Sequence, residues 1–253
     1  MKNVTFVLLL LASLIGPVRE TAMAGDTPPL TQQQVEDIVQ GYLLENPEVV
    51  IEAIQEFQRR RMVAEMLPKI EVYREYLETD ETYPVLGNPN GSITLVEFFD
   101  YRCGFCKRNF PEVMKLLAAN PDVRFIARQY PILDRAGQKP LSKRAAEAAL
   151  AAHKQGLFAE FHSALMSLEA KLTEDGLYAT AVEVGLNLTQ LKEDMRDKLI
   201  DKTITNSITI GKDIGFTGTP SYFVGNDVAE GAVGFKRLQE SIDRARADKA
   251  ASR

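Results

Sequence analysis

Apolar residues recur along this chain in two rhythms, and the change from one to the other divides it. Val35, Ile38, Val39, Tyr42 and Leu43 stand at helical spacing, which predicts an amphipathic helix after the short linker from Gly25 to Leu30. Asn46-Pro47 reads as an N-cap followed by proline at the first helical position. It opens a second helix through Val50, Ile54, Phe57 and the basic run Arg59, Arg60 and Arg61. Pro68 is expected to end or kink that helix, and Ile70, Tyr73 and Leu77 to form a third before the acidic stretch from Glu78 to Glu81. Residues 31–80 thus read as helices without a strand.

After Tyr83 the pattern changes. Gly87 to Gly91 (GNPNG) form a turn cluster, and Ile93 to Phe99 read as a strand. Phe110, Val113, Met114 and Leu117 restore the helical period until Asn120-Pro121 stops it, and Val123 to Ala127 form the next strand. Strand, helix, strand in so short a span is a βαβ unit with a parallel pair. Leu141 to Ile214 carry helical patterning only, interrupted at Gly156, Gly176 and Gly185. Ser221 to Val224 and Val228 to Gly231 read as strands joined at Gly225-Asn226, and a helix from Phe235 to about Ala247 closes the pattern. The expected class is α/β: βαβ, a helical insertion at about 139–214, then ββα, behind an N-terminal helical extension.

The first residues bear on the compartment. Lys2 precedes an uncharged run from Val4 to Val18, and Ala22-Met23-Ala24 follows with small residues where a signal peptidase reads. The run is shorter than the ~20 apolar residues of a membrane span, so residues 1–24 are expected to be a cleaved signal peptide, 25–80 the extension and 81–253 the main domain. Cleavage removes Lys2, Arg19 and Glu20, taking the net charge from −5 to −6. An acidic chain of this kind has no electrostatic footprint for nucleic acid. Export permits disulfides.

Both cysteines of the 253-residue chain, Cys103 and Cys106, lie within one helical turn. As a structural staple the pair would stabilise little, since a loop this short is worth roughly 2 kcal/mol against about 4.7 for a hundred-residue loop. A zinc site needs further ligands, and the two histidines, His153 and His162, do not have the spacing of a ligand pair; both read as surface or helix-packing groups. Thiol-disulfide exchange needs a nucleophilic thiolate and a resolving thiol within reach. Cys103 follows a strand and opens a helix, where unpaired N–H groups and the dipole favour its thiolate; Cys106 is placed to resolve. Arg102, Lys107 and Arg108 either add positive charge there or are solvated surface cations. Glu97 shares a strand face with Ile93, Leu95 and Phe99 and is expected to be buried, with a raised pKa suited to exchanging a proton with sulfur. A non-enzymatic copper(I) site on the thiolates is the rival reading.

The segment EFFDYRCGFC, from Glu97 to Cys106, resembles the active-site strand and helix start of thioredoxin-fold disulfide oxidoreductases of the DsbA type. In that family a carboxylate stands six positions before the first cysteine, as Glu97 does, and a cis-proline loop precedes the third strand, which GTPSYFV from Gly218 to Val224 fits. QYPIL, from Gln129 to Leu133, and the helical extension look like the ScsC-type and outer-membrane-antigen branch. The resemblance implies a thioredoxin-like fold with Cys103 as nucleophile, Cys106 as resolving thiol and Glu97 as proton carrier. It also implies a substrate surface at Thr219, Pro220, Gly104 and Phe105, with no cofactor beyond the redox-active Cys103–Cys106 disulfide and no metal. The implied partners are unfolded or wrongly bridged secreted proteins of the periplasm, a membrane redox partner that recharges the pair, and further copies of the chain joined through the N-terminal helices. Gly104-Phe105 departs from the proline and histidine of the strongest oxidants, so oxidase, isomerase and reductase directions all stay open.

Overall fold

In the computed structural model, which describes residues 29–252, five strands form one mixed sheet in the order β1-β3-β2-β4-β5. The expected signal peptide lies outside the described residues. The chain divides into two compact units, one ending at Ile51 and one spanning Glu52–Arg253.

The first unit holds α1 (Gln32–Glu45) and the start of α2 (Pro47–Thr79). Thr31 caps α1 reciprocally: its hydroxyl accepts from the Gln34 N–H while the Gln34 side chain accepts from the Thr31 N–H. No residue of α1 is buried, and Val35, Ile38, Val39, Tyr42, Leu44, Val50 and Ile51 leave their side chains exposed.

In the second unit, β2 (Ile93–Phe99) pairs in parallel with β3 (Val123–Gln129), from Ile93 opposite Val123 to Phe99 opposite Gln129. Between them runs α3 (Gly104–Ala119), which completes the expected βαβ unit. On its other edge β2 pairs antiparallel with β4 (Ser221–Val224), which turns through Gly225 at φ +54° into β5 (Asp227–Glu230). The helix α9 (Gly234–Ala251) follows. The thioredoxin-like class with a helical insertion is therefore present. The insertion consists of α4 (Leu141–Lys154), α5 (Phe158–Ser167), α6 (Glu174–Glu183), α7 (Leu188–Asp194) and α8 (Lys198–Ile214).

Alternation along β2 sends its side chains into two cores. Leu95 and Phe99 join Val113, Leu116, Phe161 and Ile242 on one side; Val96 and Phe98 join Ile70, Leu77, Ile210 and Ile214 on the other. Burial on both faces explains why β2 reads as a nearly continuous apolar run.

Four expectations need correction. A further strand, β1 (Val85–Gly87), pairs antiparallel with β3; three residues are too few to carry a period. Residues 47–79 form one helix, not two, because Pro68 and Ala64 both face solvent, so the carbonyl deprived of its partner stays hydrated. Gly176 lies inside α6, and the break falls instead between Leu168 and Thr173. Finally, the C-terminal part of the expected extension belongs to the larger unit: Met66, Ile70 and Leu77 are buried in its second core. Arg59 pairs with Asp227 at 3.1 Å, the Tyr73 hydroxyl donates to Asp213 at 2.9 Å, and fully buried Arg128 donates to the Tyr76 carbonyl at 2.7 Å and the Leu77 carbonyl at 3.1 Å. Those carbonyls lie at the C-terminus of α2, where a cation also complements the dipole.

Candidate active site

Strand β2 ends at Phe99, and four residues later Cys103 caps the N-terminus of α3 in extended conformation. Asp100 makes the turn between them: its carboxylate accepts from the Arg102 N–H at 2.8 Å and the Leu133 N–H at 3.1 Å, and its carbonyl accepts from the Cys103 N–H at 2.9 Å. Burial nevertheless pushes the Asp100 carboxyl up to about 6.

At this helix start the Cys103 thiol is lowered to about 5. The largest cause is hydrogen bonding with the Cys106 thiol; burial opposes it, and the Thr219 side chain and the backbone N–H groups of Cys106 and Phe105 reinforce it. Cys106, one turn deeper and fully buried, is driven far the other way, first by burial and then by its bond to Cys103. One sulfur is thus a thiolate near neutral pH while its neighbour keeps its proton. Both cysteines are present as free thiols.

The three neighbouring cations each have a partner of their own. Arg102 pairs with Asp134 at 2.9 Å, Lys107 donates to the Leu168 carbonyl at 2.8 Å, and the Arg108 guanidinium stacks 4.3 Å above the Phe105 ring.

Across from Cys103 lies the loop before β4. The Thr219–Pro220 bond is cis, and the Cys103 thiol donates to the Thr219 carbonyl at 3.1 Å. Gly104 and Phe105 are exposed beside it. Phe105, Arg108, Thr219 and Gly231 line a cavity of about 540 Å³. The structure therefore brings Cys103, Cys106, Gly104, Phe105, Thr219 and Pro220 to one place.

Glu97 is buried below the pair, as its strand face requires. Burial raises its carboxyl to about 8, the Tyr222 hydroxyl partly offsets this, and the Cys103 charge adds to it. Tyr222 donates to Glu97 at 2.8 Å, Asn109 of α3 donates to the Tyr222 oxygen at 2.8 Å, and the Asn109 side-chain carbonyl accepts from the Gly234 N–H at 2.8 Å. Sequence reasoning missed Tyr222 and Asn109. A polar residue at 109, inside the apolar stripe of α3, and a tyrosine in the apolar run of β4 were the available signals. His162 is a helix-packing group: fully buried, it meets the Tyr101 hydroxyl at 2.9 Å and stacks on Phe158. Among the described residues no group of three or more His, Cys, Asp or Glu is arranged to hold a metal ion.

Known proteins share this architecture. Residues 94–243 match the DSBA-like thioredoxin domain, and residues 32–62 match the copper resistance protein ScsC N-terminal domain. A thioredoxin-like oxidoreductase from Silicibacter pomeroyi DSS-3 is 43% identical, covering 69% of this chain and 98% of its own at a TM-score of 0.65. ScsC from Proteus mirabilis, in a transitional conformation, is 25% identical over 85% of this chain and 97% of its own, with a TM-score of 0.64. A putative protein-disulfide oxidoreductase of Rickettsia bellii is 25% identical over 79% of this chain and 76% of its own. The match to a Na(+)/H(+) antiporter of Salinispora tropica, 29% identical, takes in 62% of this chain and only 24% of the antiporter's length. Together with the paired sulfurs at the head of α3, these matches show that the chain belongs to the DsbA-like thioredoxin-domain family of thiol-disulfide oxidoreductases, with an ScsC-type segment at its N-terminal side.

Proposed function

We propose that this protein exchanges disulfides with exported polypeptides through Cys103 and Cys106. The observation that carries the reading is the polarised pair: a Cys103 thiol at about 5 on a helix start, facing the Thr219 carbonyl, above a Cys106 that keeps its proton. In the reducing direction the Cys103 thiolate attacks a substrate disulfide, forming a mixed disulfide and releasing a substrate thiolate that takes up a proton. Cys106 then gives up its proton and attacks the Cys103 sulfur, which releases the second substrate thiol and leaves a Cys103–Cys106 disulfide. The oxidising direction is the reverse; in isomerisation a different substrate thiolate attacks the substrate sulfur of the mixed disulfide, forming a new substrate disulfide and releasing the Cys103 thiolate.

Glu97 lies close enough that its charge raises the Cys106 thiol. As a buried acid titrating near neutrality it serves as the acceptor for the Cys106 proton in the resolving step. Thr219 and Pro220 offer backbone for a substrate strand to lie along, and Gly104 and Phe105 supply the apolar lip. The periplasm is the compartment this reading requires; the solved periplasmic thioredoxin-like protein of Salmonella enterica serovar Typhimurium, 26% identical, supports it. A membrane redox partner recharges the pair, and the exposed apolar side chains of α1 and early α2 join copies of the chain.

The test is to mix the reduced protein with a peptide disulfide and follow both sulfurs. Oxidation of the Cys103–Cys106 pair with release of two peptide thiols is expected. A pair that stays reduced and instead holds one copper(I) ion per chain overturns the reading in favour of metal binding.

A further inference from the structure

Beside the redox pair, the β3–α4 loop and the α5–α6 loop enclose a cleft of about 660 Å³ against the first turn of α3. Four cations line it, Arg102, Lys107, Arg135 and Lys171, with Glu169 the lining carboxylate. That is a local excess of positive charge on a chain whose net charge is −5. Arg102 and Lys107 are anchored, the first to Asp134 and the second to a backbone carbonyl. The Asp134 carboxylate also accepts from the N–H groups of Ser142 and Lys143 at 2.9 Å each, so its charge is shared with the start of α4. Arg135 and Lys171 are exposed and form no ion pair among the described residues. An adjoining cavity shares Arg102 and Lys171 with this cleft and adds Lys139 and Arg144, which face Glu174 and Asp175.

We infer that this cleft recognises carboxylate side chains flanking the target cysteine of a polypeptide substrate. The inference rests on the disulfide-exchange function proposed above and names its substrate class. Arg102 adjoins Cys103 in sequence, and the Lys107 N–H donates to the Cys103 carbonyl at 3.1 Å, so two of the lining residues flank the nucleophile in the chain. An extended substrate advances about 3.3 Å per residue, so acidic residues a few positions from its cysteine are the ones within reach of the cations. Tyr101 and Leu172 form an apolar floor that suits peptide side chains better than a free inorganic anion. Fixed cations at the edge of an otherwise acidic molecule steer acidic segments toward the thiolate and raise their rate of encounter.

The experiment uses the full-length dithiol protein and three peptide disulfides that differ only in glutamate, serine or lysine flanks. Each reaction breaks one peptide disulfide into two thiols as the Cys103–Cys106 disulfide forms, so two electrons pass to the peptide. Glutamate flanks are expected to react roughly tenfold faster than lysine flanks at low salt. The ratio is expected to approach one at about 1 M salt, where the Debye length is roughly 3 Å. In the double variant Arg135→Glu, Lys171→Glu the preference is expected to vanish or reverse. Equal rates for all three peptides, faster reaction of lysine flanks, or a glutamate preference that survives the double substitution would overturn the cleft while leaving disulfide exchange standing. No exchange with any peptide would sink both.

Discussion

Cys103 and Cys106 have the same side chain and opposite chemistry, because the Cys106 thiol and then the N–H groups of the helix start hold the Cys103 thiolate, while Cys106 lies beneath it without solvent. Cys106→Ser is expected to accumulate mixed disulfides with substrate through Cys103, while Cys103→Ser traps almost none; equal trapping on non-reducing gels would refute the roles. A low nucleophile pKa stabilises the reduced pair and so makes the disulfide oxidising. At about 5, Cys103 falls between the roughly 7 of thioredoxin and 3.5 of DsbA. Equilibration with glutathione is accordingly expected to give a potential between about −270 and −120 mV. Glu97 is the second titrating group. Its carboxyl is raised from 4.5 to about 8, so the folded chain holds a proton that the unfolded chain has lost. The stability it contributes is full below pH 4.5 and is lost as pH rises through about 8. Glu97→Gln removes that loss, and urea unfolding at pH 9 is expected to show the variant more stable than wild type by a few kcal/mol, about 3 to 5, with little difference at pH 4. The same substitution is expected to slow the resolving step and erase its inflection near pH 8, whereas Tyr222→Phe, which removes the donor to the carboxylate, moves that inflection upward. An unchanged rate profile in both would mean that Glu97 only packs.

At the scale of elements, α2 is the piece whose role changes along its length. From Met66 to Leu77 its inner face is core, and Arg128, lying between the rings of Tyr76 and Tyr83 at 4.9 and 3.8 Å, fastens its end to β3. Ile70→Ala is expected to destabilise the larger unit by about 2–5 kcal/mol, while Val72→Ala, on the exposed face, stays within about 0.5 kcal/mol. Urea midpoints separate the two. Similar losses for both would show that the helix is held by propensity instead of by packing.

For the whole molecule, the division at Ile51 and Glu52 says where the chain can be shortened. A protein beginning at Glu52 is expected to fold cooperatively and to keep single-turnover exchange. One beginning at Glu81 uncovers Phe98, Ile126, Tyr130 and Phe223 of the second core and is expected to unfold or aggregate. Light scattering of the full chain against the Glu52 form tests self-association, and refolding of a scrambled-disulfide substrate tests whether association serves isomerisation through high effective concentration of Cys103 sites. A monomeric full chain would end the oligomer proposal. Full isomerase activity in the Glu52 form would end only its link to function.

Local pattern was enough for the βαβ and ββα units, the helical insertion, the placement of Cys103 at a helix start and the burial of Glu97, since each depends on neighbours within a turn or on alternate residues of one strand. It was enough, through the family motif, for the meeting of Cys103 with Thr219 as well. What it lacked were contacts between residues far apart in the chain. Asn109 and Tyr222, separated by 113 positions, meet because β4 lies beside β2 and α3 packs over both. Pro68 could stay helical because its face of α2 turned out to be wet, and Leu77 joined the core because Arg128, 51 positions on, waited at its carbonyl. The cations of the cleft come from a helix start and two loops that no periodicity links. A period reports which side of an element is apolar; the packing of the sheet against α2, α3 and the insertion determines what that side, and each polar residue on it, finds there.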